Sequence, residues 1–93
     1  SMPYGYFQKA AKFILANLDT AVQLVESVTP NGSDKKALVM DIAGKLFDYI
    51  VAQAFPVYLK PFVPVFRKLL LDVLVSNLID FVVSKYNAGA WSK

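Results

Sequence analysis

Asp72, Ser76 and Asp80 stand four residues apart late in the chain, its nearest approach to a working group of acids and a hydroxyl. On a helix they share one face. Eight residues of helix set the two carboxylates about 12 Å apart along the axis, too far to hold one metal ion. A solvated strip is the simpler account. The sequence has no histidine and no cysteine, which removes imidazole bases, thiol nucleophiles and ordinary zinc or haem ligation. No catalytic, metal or cofactor residue is assigned, and the chain is read as not an enzyme.

Two other groups carry charge with a purpose. Asn31-Gly-Ser-Asp-Lys-Lys36 opens a helix with free amides and two lysines, the chemistry that receives a phosphate. It lacks the glycine and lysine spacing of a P-loop and follows no strand, so a turn with Ser33 as N-cap accounts for it. Further on, Lys60, Arg67 and Lys68 are interleaved with Tyr58, Phe62 and Phe66. Basic residues among aromatics are what single-stranded nucleic acid needs. Three charges are few for that task, because affinity scales with the phosphates neutralised. The same trio suits acidic lipid headgroups or an acidic protein partner.

The elements that must position these residues follow from periodicity. Phe7, Ala11, Ile14, Leu18, Ala21, Val25 and Val28 repeat at alternating spacings of four and three, which predicts a first helix over 4–28. Thr29-Pro-Asn-Gly-Ser33 breaks it. A second helix is expected over 34–55, with Val39, Ile42, Ala43, Leu46, Ile50 and Ala54 on its apolar face. Gly44 weakens that helix by about 1 kcal/mol relative to alanine. Pro56 ends it, since the residue before a proline avoids helical geometry.

Residues 56–63 read as a bent connector with one helical turn at Val57–Leu59, and Pro64 opens a third helix over 64–86. In that helix Lys68, Asp72, Ser76, Asp80 and Ser84 recur every four residues, with Arg67, Asn77 and Lys85 beside them. Nearly everything else is apolar, as in a helix that is central to a bundle or shared with a second copy. Asn87, Ala88 and Gly89 close it, and residues 88–93, including Trp91, form a tail. The window from Leu69 to Val83 is shorter than the ~20 residues of a membrane span and contains Asp72, Asn77 and Asp80.

Composition adds one inference that needs no motif. Of the 93 residues, 56% are apolar without counting glycine, whereas soluble domains reach roughly 45–50% with glycine included. A chain this small has too much surface to hide that excess in one core. Some of it is expected to meet another subunit, a partner or a lipid. The net charge of +3 falls on one place: between Tyr49 and Leu71 stand Lys60, Arg67 and Lys68 with no acid. Ser1 before Met2 reads as a tag remnant, and Pro3-Tyr-Gly-Tyr6 has no export-signal character. A cytoplasmic home is expected, which includes the inner surface of a membrane.

Three stretches also carry a family likeness. Val22-Gln-Leu-Val-Glu26, Asn31-Gly-Ser-Asp-Lys-Lys36 and Ala37-Leu-Val-Met-Asp41 resemble the cytosolic part of small phage holin proteins. There a helix ending in Val-Glu leads through a glycine turn to Lys-Lys and an amphipathic helix. Leu78-Ile-Asp-Phe-Val-Val-Ser-Lys-Tyr-Asn87 is similar to that family's terminal helix. The resemblance leaves out the proline connector, and it departs at the start: holins open with a membrane-spanning helix, where residues 4–28 here are two-faced and charged. It implies a phage-related protein, in host cytoplasm, without that span, and it transfers no functional residue.

The expected molecule is an all-α, three-helix up-and-down bundle with a proline-rich connector, completed by homo-oligomerisation. The expected role is non-enzymatic: self-association, and presentation of an apolar and basic surface made by Phe55, Tyr58, Lys60, Phe62, Phe66, Arg67 and Lys68 to a protein partner. The alternative is a peripheral membrane or lipid-binding protein using residues 54–68.

Overall fold

The computed structural model describes residues 2–28 and 31–86. Three helical rods form an all-α bundle. The first is α1 (Met2–Glu26) and the second α2 (Gly32–Ala54). A 3-10 helix (Val57–Phe62) leads into the third rod, built of α3 (Val63–Lys68), a π-helical segment (Leu69–Val75) and α4 (Ser76–Tyr86). Paired contacts fix the directions. Glu26 meets Lys35 at one end of the α1–α2 pair and Tyr6 meets Phe55 at the other, so those helices are antiparallel. Lys36 meets Asp80 and Asp48 meets Arg67, which reverses the direction again. The result is the up-and-down order, in a body of 42 × 19 × 18 Å.

One column of apolar side chains holds the rods together. Ile14, Leu18 and Val22 of α1 meet Val39, Ala43 and Phe47 of α2 and Leu70, Val75 and Ile79 of the third rod, all buried. The first-helix stripe is present, with one correction. Val28 is 67% exposed, because α1 ends at Glu26 and Val28 lies in the turn, its N–H bonded to the Val25 carbonyl at 2.9 Å. On α2, Phe47 is fully buried although it stands beside the expected face. The contact line of α2 runs through Lys35, Val39, Ala43 and Phe47, one step round the helix from Ile42 and Leu46.

The start of α2 is a second correction. Asn31, not Ser33, is the N-cap, and the helix begins at Gly32. Asn31 Oδ1 accepts from the Ser33 and Asp34 amides at 3.0 and 3.3 Å and from the Ser33 hydroxyl at 2.8 Å. Asparagine caps as well as serine, and here it stands two residues earlier, where it takes both amides. The 3-10 helix is also longer than one turn: it carries the chain through Pro61 up to α3, with Leu59 fully buried and Pro64 in the first turn of α3. The expected tail 88–93, with Gly89 and Trp91, lies outside the described residues.

Lys35 is the one charged side chain buried in the bundle among the described residues, and its Nζ meets Glu26 Oε1 at 2.8 Å. Removing the carboxylate leaves a largely desolvated ammonium. Glu26→Ala is therefore expected to cost about 1–2 kcal/mol, between the values for exposed and buried pairs. The exposed Lys45–Asp41 pair at 3.2 Å gives the contrast, with Asp41→Ala costing under about 0.5 kcal/mol. Urea unfolding of both variants, followed by circular dichroism, measures the difference.

Candidate functional site

The residues singled out for chemistry are held in pairs. Asp80 does not face Asp72 across a shared ligand. Its two oxygens take Lys36 Nζ from α2 at 3.0 and 3.2 Å. At the start of α2 the amides are satisfied by Asn31, and both lysines are engaged, Lys35 by Glu26 and Lys36 by Asp80. The phosphate chemistry open to that segment is thus used up within the fold. Among the described residues no group of three or more acids is gathered as a metal would require.

An open groove of about 490 Å³ runs between α2 and the third rod, lined by Asp41, Gly44, Lys45, Asp48, Arg67 and Asp72 among others. Gly44 has a packing reason to be glycine. A Cβ there would lie 2.8 Å from Arg67 Nη2 and 3.8 Å from Leu71 Cδ1. The bare backbone lets the arginine cross α2 and reach Asp48 with Nε at 3.1 Å and Nη2 at 3.4 Å. Four of the groove's charges are matched to each other, Asp41 with Lys45 and Asp48 with Arg67, while Asp72 is exposed.

The seven residues of the expected binding surface fall into two sets. Phe55 and Phe66 pack partly buried against the core. Their rings meet edge to face at 6.4 Å, and they take Tyr6 and Phe7 of α1 at 5.3 and 5.4 Å. This cluster closes the end of the bundle. Phe62 stacks on Phe66 at 6.0 Å but stays 45% exposed. Tyr58, Lys60 and Lys68 are exposed as well, and Arg67 is tied to Asp48. A small apolar pocket of about 200 Å³ lies beneath the connector, lined by Val51, Phe55, Pro56, Val57, Lys60 and Val63 among others.

A further exposed surface runs down the third rod. Val65, Leu69, Val73 and Phe81 are 50–61% exposed and stand at multiples of four residues. In an α-helix a four-residue step drifts by about 40°, so such a row would wind around the rod. The π segment counters the drift. Its wider turn is marked by the Ser76 N–H donating to the Leu71 carbonyl, five residues back. The same correction keeps the exposed row of Lys68, Asp72, Asp80 and Ser84 beside the apolar one. No helix among the described residues is long and apolar enough to cross a membrane.

No known protein family, curated protein or solved structure matches this chain. The likeness to holins rests on the quoted residues alone.

The two phenylalanines separate core from surface. Phe66→Ser is expected to cost about 2–3 kcal/mol, somewhat less than a fully buried ring, and Phe62→Ser under about 1 kcal/mol, both read from urea midpoints. Gly44→Ala is expected to be near neutral. The helix gains about 1 kcal/mol of propensity while the Arg67 fork is displaced from Asp48. In that background Arg67→Ala should change stability by nothing measurable. A cost equal to that in the parent chain would show the ion pair surviving the added methyl.

Proposed function

We propose that this chain is a non-enzymatic helical interaction protein that pairs with a second copy of itself and holds a further partner at the end of its bundle. The observation that carries this reading is the exposed apolar row of Val65, Leu69, Val73 and Phe81 on the outside of the third rod, interrupted only by Asn77. Scattered exposed apolar residues need no explanation, but an aligned row of four beside a polar one does. A helix dressed this way is the seam of a helix pair.

The charges beside the row favour an antiparallel second copy. Reading down the rod they are Lys68, Asp72 and Asp80, positive toward α3 and negative toward α4. Two rods in the same direction bring Lys68 to the level of Lys68. Reversed about a point near Leu74, Lys68 of one copy comes level with Asp80 of the other, twice over by symmetry. Asp80 keeps room for it, since its side chain is 57% exposed despite Lys36. Neither the groove nor the paired carboxylates favour a reaction.

Sedimentation equilibrium tests the pairing. The parent chain is expected to dimerise, with affinity little changed between low and high salt because the seam is mainly apolar. Val73→Asp, at the seam's centre, should give a folded monomer, since its site is exposed. Leu38→Asp, on an exposed site of α2, should leave the dimer intact. A parent chain that stays monomeric at high concentration, or a dimer that ignores Val73→Asp, overturns the proposal.

A further inference from the structure

The fold gathers charge that the sequence keeps apart. Tyr6 against Phe55 and Phe7 against Phe66 place the start of α1 at the connector end of the bundle. Residues 2–18 contain Lys9 and Lys12 and no acid, and residues 49–71 contain Lys60, Arg67 and Lys68 and no acid. Together these neighbouring stretches carry +5. The rest of the chain holds the other five basic residues and all seven acids, a net of −2. A body 42 Å long is thus basic at its connector end, whereas at the other end Glu26 and Asp80 are matched by Lys35 and Lys36. Arg67 is balanced by Asp48, whereas Lys9, Lys12, Lys60 and Lys68 meet no carboxylate among the described residues and stay exposed.

The same end also exposes large apolar side chains. Tyr4, Val57, Tyr58 and Phe62 are 45–77% exposed there. Lys60 sits among them. Lys9 and Lys12 lie only about 5 and 9 Å along the axis from Tyr6. Both distances are within roughly one Debye length of the end at physiological salt.

We propose that this end docks on a phospholipid bilayer bearing acidic headgroups, the connector inserting shallowly while the lysines meet the lipid charges. This rests on reading the chain as a binding protein and names the partner held at its end. Charge complementarity selects the acidic surface. The form of the apolar residues selects lipid: tyrosine and phenylalanine settle at the headgroup boundary, and lysine extends an apolar stem and keeps its ammonium in the charged layer. The aromatic floor below, Phe55 and Phe66, fixes the connector in place before it meets the membrane.

Flotation of the full chain with vesicles of phosphatidylcholine, alone or mixed with phosphatidylserine, at low and high salt tests this. Flotation is expected only with the acidic vesicles and is expected to fall several-fold in high salt. Lys60→Gln should weaken partitioning by about fivefold, the share of one basic residue near an acidic leaflet. Val57→Ser with Tyr58→Ser should abolish it at an unchanged net charge, in a protein whose circular dichroism matches the parent. No flotation, or flotation equal on neutral vesicles, overturns the proposal. So does binding to soluble polyglutamate that matches vesicle binding and ignores the Val57 and Tyr58 changes, which marks an acidic protein partner. Val73→Asp, which acts on the seam, should float like the parent, so failure of the pairing and failure of the docking are told apart.

Discussion

Three helices in a bundle give each rod a single line of contact with the other two, and this chain has far more apolar residues than that line can take. The column from Ile14 through Phe47 to Ile79 is fully buried, and its members come from all three rods. Around it the radius is too small for a second buried layer. Many apolar residues off the line are either half-covered, as Phe55 and Phe66 are at one end, or left outside, as Leu69 and Val73 are. The outer surface of the molecule follows from this limit as directly as its core does.

The π segment shows how the third rod meets the limit. It must hold Leu70, Leu71, Val75, Ile79 and Val83 against the core while keeping its polar row in water. A four-residue repeat is too long for an α-helix and too short for a continuous π-helix. Alternating the two lets buried and exposed rows run straight side by side. The i→i+5 turn is rare, and here it accompanies the alignment of Leu70, Val75 and Ile79 with α1 and α2.

The helices and most of the core were legible, because a 3.6-residue repeat with one apolar stripe has a single good solution. Phe7, Ile14, Leu18 and Val25 needed nothing more. What was not legible depended on choices between equals or on distance in sequence. Asn31 and Ser33 are equally good caps two residues apart, and only the fold shows Asn31 taking both amides. Gly44 reads as a weak point in a helix until Arg67, far along the chain, is seen to cross it. The four-residue repeat of Lys68, Asp72 and Asp80 was plain to see, and its meaning was hidden, since the π segment has no residue signature. Within the expected binding surface, aromatic spacing could not divide Phe62 from Phe66. That division depends on Phe7, which arrives from the other end of the chain.

The basic end illustrates how a local signal becomes a larger one on folding. The acid-free run from 49 to 71 is visible as sequence, and alone it carries three charges. Up-and-down topology lays the acid-free start of α1 against it and adds two more, while at the opposite end Glu26 and Asp80 are offset by Lys35 and Lys36. The two proposed surfaces then constrain each other. The seam lies along the side of the rod and the basic patch at its tip, and Lys68 is the one charged residue they share. An antiparallel pair, however, points its two tips in opposite directions, some 42 Å of bundle apart. One flat bilayer can take only one tip of such a pair. A dimer that meets lipid is therefore either held by one end with the other displayed, or spans two facing surfaces. A monomer has no such choice to make, and dimerisation along the seam changes what the tip can do while drawing only Lys68 of its lysines toward the second copy.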